Sequence, residues 1–149
     1  MRLERFEGCL ENGRKVVWEA IDPYLNIIVG DNGVGKTLLL REVNDCVGEF
    51  RSIYVTSCAG YGFDKNQSIG QRCYASLLES VRFAMGQDYD AILIDDIELY
   101  LSVKKQIGLI SEMRSIAPDL QFFISTHSPY IYQDWSAQVV DVESLLAND

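Results

Sequence analysis

The stretch Gly30-Asp31-Asn32-Gly33-Val34-Gly35-Lys36-Thr37 decides how this chain is read. It follows the apolar run Ile27-Ile28-Val29 and precedes Leu38-Leu39-Leu40-Arg41-Glu42-Val43, whose apolar residues recur with a helical period. Strand, glycine-rich loop and helix in that order are the setting of a phosphate-binding P-loop. Gly30, Gly33 and Gly35 let the backbone turn with positive φ and come close to a ligand. The loop amides then face inward as an anion nest, and the helix adds its positive N-terminal end. Lys36 places a point charge on the β- and γ-phosphates, and Thr37 offers a hydroxyl to magnesium. Gly30, Asp31, Asn32, Gly33, Val34, Gly35, Lys36, Thr37 and Leu38 are therefore the nucleotide-binding candidates. The bland alternative is a strand-to-helix turn with incidental glycines. Lys-Thr directly after Gly35 argues against it.

Outward from this stretch the pattern alternates. Before it, Arg2 to Leu10 and Val16 to Ile21 read as strands around Glu11-Asn12-Gly13-Arg14, where Asn-Gly signals a hairpin. After it come a helix over 38–47, a strand over 52–57 and a polar, glycine-bearing loop through Gly60, Gly62, Asp64 and Asn66. A helix follows over 68–84, with Ile69, Cys73, Leu77 and Val81 at four-residue spacing. Ala91 to Asp96 is an apolar strand ending in two acids, as in a central parallel strand. A helix over 101–116 should turn Val103, Ile107, Ile110 and Met113 inward. Gln121 to His127 is another buried strand, 138–142 a last and edge-like one, and 143–147 a short helix. The fold class is α/β: a P-loop NTPase with a mainly parallel central sheet, helices on both faces and an N-terminal antiparallel hairpin. Ligands in such sheets bind at the carboxyl ends of strands. Gly30, Asp95 and His127 all fall there.

The 149 residues, 48% of them hydrophobic, suit one domain over 1–149. The N-terminus lacks the apolar core of a signal peptide, and no run is long enough to span a membrane, so a cytoplasmic protein is expected. Cys9, Cys46, Cys58 and Cys73 are scattered without a C-x-x-C pair and read as reduced thiols. Net charge is −9, and residues 91–149 carry nine acids against three bases, a balance of −6. Such a surface argues against direct binding of nucleic acid.

Asp95, after four apolar residues, has the place of a Walker B acid, holding magnesium opposite Thr37. Asp96 would face the attacking water. Asn26 to Thr37, then Ile92-Leu93-Ile94-Asp95-Asp96-Ile97-Glu98, then Ser125-Thr126-His127-Ser128-Pro129, together resemble the ABC-type ATPase heads, nearest the SMC, RecF and OLD-like branch of AAA-labelled ATPases. The resemblance covers nearly the whole chain, with three motifs in the family's order. It implies that His127 contacts the γ-phosphate and helps orient water. It also implies that Ser68, in Ser68-Ile69-Gly70-Gln71-Arg72, and Gly70 serve as the signature that meets nucleotide held by a second subunit. A plain serine N-cap is the alternative for Ser68. Three features depart from the family pattern. The acid after Asp95 is Asp96, one methylene shorter than the usual glutamate, with Glu98 as a fallback base. No Q-loop glutamine follows the strand ending near Ser57; Gln67 and Gln71 are mis-spaced. Only 31 residues separate Lys36 from Ser68, too few for a coiled-coil arm, so a bare head is expected.

The expected activity is that of a Mg²⁺-dependent ATPase. ATP is its substrate, and Asp96, His127, Lys36 and Glu98 are its candidate catalytic groups. Thr37 and Asp95 are the metal ligands. A homodimer or heterodimer forms through the nucleotide, and an effector protein uses that switch, in genome maintenance or anti-phage defence by analogy. The competing expectation is an ATP-sensing scaffold with little or no hydrolysis. A transporter subunit and a small-molecule kinase are minor readings, lacking respectively a helical subdomain and a lid with arginines. Phe6 or Trp18 could stack the adenine, or could be core.

Overall fold

The computed structural model describes residues 1–31, 35–45, 50–56 and 68–146. Asn32, Gly33 and Val34 of the glycine-rich stretch lie outside the described residues. So do Cys46, Val47, Gly48, Ser57, Cys58, the loop over 60–66, Gln67 and Ala147.

The hairpin forms as expected. Strands β1 (Phe6–Cys9) and β2 (Lys15–Trp18) pair antiparallel, with Phe6 opposite Trp18. Gly13, at φ 86°, makes the left-handed step the turn needs. Phe6 and Trp18 are buried, and Trp18 meets Phe123 edge-on at 5.7 Å between ring centroids. Both rings are therefore core, and neither is placed to stack an adenine.

Five strands build the main sheet: β3 (Leu25–Val29), β4 (Ser52–Val55), β5 (Ala91–Ile94), β6 (Gln121–Ser125) and β7 (Val139–Asp141). They lie in the order β4-β5-β6-β3-β7, and every neighbouring pair is parallel. All the carboxyl ends therefore open on one side. β5 and β6 are buried throughout, which explains their unbroken apolar runs. β7 is an edge strand, as its short, half-polar sequence suggested.

Helices cover both faces. On one side lie α2 (Ile69–Gly86), α4 (Leu109–Ile116) and α5 (Pro129–Tyr132), packed on Ile92, Ile94, Phe122 and Ile124. On the other lie the hairpin, α1 (Lys36–Asn44) and α6 (Val142–Leu145), packed on Ile28, Leu93 and Phe123. Adjacent residues Phe122 and Phe123 feed opposite layers, as the period-two alternation of a strand requires.

Three expectations are corrected. The helix over 101–116 is two helices, α3 (Val103–Gln106) and α4, because the chain turns between them through Ile107 and Gly108, which sits in the left-handed region at φ 82°. Ile110 and Met113 are buried, but Val103 is 46% and Ile107 47% exposed. Ile69 is 53% exposed, since it is the first residue of α2 and overhangs the core. Cys73 is disulfide-bonded, whereas Cys9 is a free, exposed thiol. Spacing along the chain could not show that contact. Among the described residues no helix is long and apolar enough to cross a membrane.

Candidate functional site

Loops at the carboxyl ends of β3, β5 and β6 supply the site. Gly35 precedes α1 at φ 108°, a conformation that favours glycine. A Cβ there would meet Leu10 at 3.2 Å. Among the described residues no side chain caps the start of α1, whose N-cap is Gly35. Lys36 is only 7% exposed. Its Nζ donates to the Gly30 carbonyl at 2.5 Å and the Asp31 carbonyl at 3.3 Å. Among the described residues this buried ammonium donates to two backbone carbonyls, with the Asp96 carboxylate near enough to feel its charge. Leu38 is half-buried and packs into the layer with the hairpin.

Three hydroxyls converge on Asp95, which is 7% exposed. Thr37 donates to Oδ2 at 2.7 Å, Tyr54 to the same oxygen at 2.7 Å, and Ser125 to Oδ1 at 2.5 Å. Thr37 and Asp95 are 58 residues apart in sequence, yet β3 and β5, each paired to β6, bring them together. Burial, and then the Asp95 carboxylate, push the Tyr54 phenol far above its ordinary range, so it stays a neutral donor. Ser125 also accepts from the Asp96 amide at 2.8 Å, fixing both acids from a neighbouring strand.

Asp96 takes a left-handed backbone at φ 49°. Its carboxylate lies 3.9 Å from His127 Nε2, both side chains being nearly half exposed. Burial raises the Asp96 pKa, and the Asp95 and Glu98 carboxylates push in the same direction; His127 and Lys36 oppose them. A carboxylate so placed is a better base than an ordinary aspartate. Glu98 turns toward the β6 exit. It accepts from the Thr126 hydroxyl and from the His127 amide, each at 2.8 Å. Both of its oxygens are engaged in orienting the segment that carries His127. The Ser128 hydroxyl donates to Gln106, whose amide donates to the Leu101 carbonyl at 2.9 Å.

Ser68 caps α2. Its hydroxyl accepts from the Gln71 backbone amide at 3.1 Å, and the Ser68 amide donates in return to Gln71 Oε1 at 2.9 Å. The cap alternative is thus present in full, which leaves a second role open. Gly70 lies against the Tyr100 carbonyl; a Cβ there would come within 2.9 Å of it. The start of α2 therefore abuts the turn that follows Asp96 and Glu98.

An all-oxygen set, Thr37 Oγ1 as ligand and Asp95 Oδ2 reached through a bound water, would suit magnesium, which takes one or two protein oxygens and keeps several waters. Among the described residues no cluster of three or more His, Cys, Asp or Glu could hold a metal unaided. Sequence reasoning missed Tyr54 and assigned no role to Ser125 or Thr126. Only the register of neighbouring strands reveals all three.

The fold defines a class: an α/β protein of P-loop NTPase type, with Gly30 after β3, Asp95 after β5 and His127 after β6 at the carboxyl ends of the parallel strands. No family model matches the chain. It is similar to the Retron Vc95 probable ATPase of Vibrio cholerae serotype O1 biovar El Tor, 32% identical over 54 residues. That segment is 36% of this chain and 10% of the relative, so the chain matches only about a tenth of the relative's length.

Proposed function

We propose that the chain is a Mg²⁺-dependent ATPase of the ABC-type head kind, in which ATP joins two heads and hydrolysis releases them. The contact between Thr37 and Asp95 carries this reading, because it joins the two oxygens a magnesium site needs across 58 residues. The similarity to a probable ATPase supports it.

When bound, magnesium would neutralise charge on the β- and γ-phosphates. The chain's own groups do the rest. Lys36 exchanges the Gly30 and Asp31 carbonyls for phosphate oxygens. The α1 amides take the phosphates' remaining charge. Asp96 orients the water and accepts its proton, and the neighbouring His127 faces the γ-phosphate. Glu98 is a positioning residue that holds His127 rather than the base itself. Catalysis is chiefly placement and electrostatics.

Dimerisation is supported by exposed apolar side chains. Ile69 at the start of α2, and Leu99, Tyr100 and Val103 along the segment whose Tyr100 carbonyl Gly70 abuts, are each exposed. Ser68 and Gly70 would meet nucleotide on the second head, and an effector protein would read the joined state. A scaffold that binds ATP and hardly hydrolyses it is the second reading. The short Asp96 side chain, 3.9 Å from His127, favours it.

Light scattering of the chain with Mg-ATP, with Mg-ADP and without nucleotide tests the proposal. Mg-ATP should produce dimers, and Asp96→Asn should trap them. A mass that never changes while ATP binds would sink the sandwich. Turnover near zero in the wild type, restored in Asp96→Glu, would select the scaffold.

A further inference from the structure

We infer that the Tyr54 hydroxyl occupies, in the nucleotide-free protein, the seat on Asp95 that a magnesium-bound water takes when Mg-ATP loads. The inference rests on the proposed nucleotide site and adds a residue that neither the motifs nor the similarity to other proteins points to.

A carboxylate oxygen offers two in-plane lone pairs. On Asp95 Oδ2 both are taken: Thr37 and Tyr54 each donate at 2.7 Å. Oδ1 carries the Ser125 hydroxyl at 2.5 Å, and Ser125 is itself tied to the Asp96 amide. Ser125 is fully buried and Asp95 nearly so, so the carboxylate cannot swing to present a fresh edge. Magnesium keeps most of its waters and demands near-octahedral geometry. With Thr37 as a ligand, a water on the ion must donate to Asp95 beside Thr37, at Oδ2. Tyr54 already sits there.

The geometry also says how the seat is vacated. Tyr54 stands on β4, at the edge of the sheet, with its backbone held by the pairing to β5 opposite Leu93. Only its side chain has to rotate. Arg41, on the exposed side of α1, also acts on this hydroxyl but can only donate to it, so a hydroxyl released from Asp95 would donate to water. Tyr54 is thus a positioning residue with two tasks. It keeps Asp95 aimed while the site waits, and it makes the metal compete for its place. ATP without metal does not need that seat.

The test measures Mn²⁺ binding by the full chain with ATP, from the electron paramagnetic resonance signal of free Mn²⁺, in wild type and Tyr54→Phe. ATP binding in EDTA is measured alongside. Tyr54→Phe should hold Mn²⁺ with ATP about tenfold more tightly, the worth of one hydrogen bond to a charged group. Its metal-free ATP affinity should be unchanged. Ser125→Ala, which loosens Asp95 without emptying the seat, should not tighten. Equal or weaker Mn²⁺ binding by Tyr54→Phe, with wild type binding normally, overturns the inference alone. If wild type holds no Mn²⁺ even with ATP, the nucleotide reading falls and takes the inference with it. Should Tyr54→Phe misfold by circular dichroism, Tyr54→Leu is read in its place with the same two outcomes.

Discussion

At the scale of single residues, Ser125 has the most to lose. One buried oxygen donates to Asp95 and accepts from Asp96, so its removal strands a carboxylate oxygen and an amide together. Ser125→Ala should cost about 2 kcal/mol, roughly 5 °C in Tm, by thermal melting without nucleotide. A melt unchanged within a degree would mean that water replaces the hydroxyl freely. Asp90 gives a pH-dependent counterpart far from the site. Burial acts to raise its pKa, but the hydrogen bonds from the Met1 ammonium and the Arg51 amide outweigh it, and the net shift is downward. An acid depressed in the folded state adds stability above its unfolded pKa and loses it as pH falls through the folded one. Asp90→Ala should therefore melt lower by about 1 kcal/mol at pH 7, and the gap to wild type should narrow as pH falls below the ordinary aspartate range. A gap that widened in acid would reverse the assignment.

At the scale of elements, the start of α2 carries a cap and, by proposal, a contact with a second head. The two roles separate by substitution. Aspartate caps a helix as well as serine does, but it would set a negative charge against phosphate. Ser68→Asp should melt like wild type and fail to dimerise with Mg-ATP, whereas Ser68→Ala should lose about 1 kcal/mol from the cap. If Ser68→Asp still dimerises on ATP, Ser68 is a cap and nothing more. The break between α3 and α4 is another local matter. Gly108 is left-handed with open space around its Cα. Gly108→Ala should thus cost about 1 kcal/mol through backbone strain alone, seen as a small fall in Tm.

The element scale also shows what the sequence could say. The strand-loop-helix at Gly30, the hairpin at Gly13 and the buried β5 and β6 each rest on a local period or turn residue, and each was legible. The helical run over 101–116 misled, because Val103 and Ile107 keep the helical spacing although α3 ends at Gln106 and the chain turns through Ile107 and Gly108 into α4. The Thr37 and Asp95 partnership followed from motif order. Tyr54 could not be foreseen, since nothing near Ser52 to Val55 hints that β4 would stand beside β5 in that register. Cys73 shows the same limit: a disulfide is a fact of distance, not of spacing.

At the scale of the whole molecule, the five-stranded sheet separates two apolar layers, each closed by different parts of the chain. The N-terminal segment is stitched to the sheet by Gln121, which is fully buried and exchanges hydrogen bonds with both backbone groups of Leu3 at 2.9 Å. Gln121→Leu would leave both Leu3 groups without the side chain that satisfies them, while the Asp22 carbonyl keeps its bond from Asn26, at a cost of about 2–3 kcal/mol, measurable by urea denaturation. A loss below about 0.5 kcal/mol, the scale of an ordinary surface change, would mean that the N-terminal segment detaches at little cost.

The chain has two tryptophans, and the sheet puts one on each side. Trp18 is sealed against Phe123 in the hairpin layer, while Trp135 is half-buried in the other layer beneath the Arg114 guanidinium. Their indole emission should differ in colour, blue for Trp18 and redder for Trp135. Replacing either by phenylalanine leaves a protein with a single lamp, lit from one side of the sheet. Whether the two layers dissolve together or in turn can then be watched by fluorescence, with no label attached.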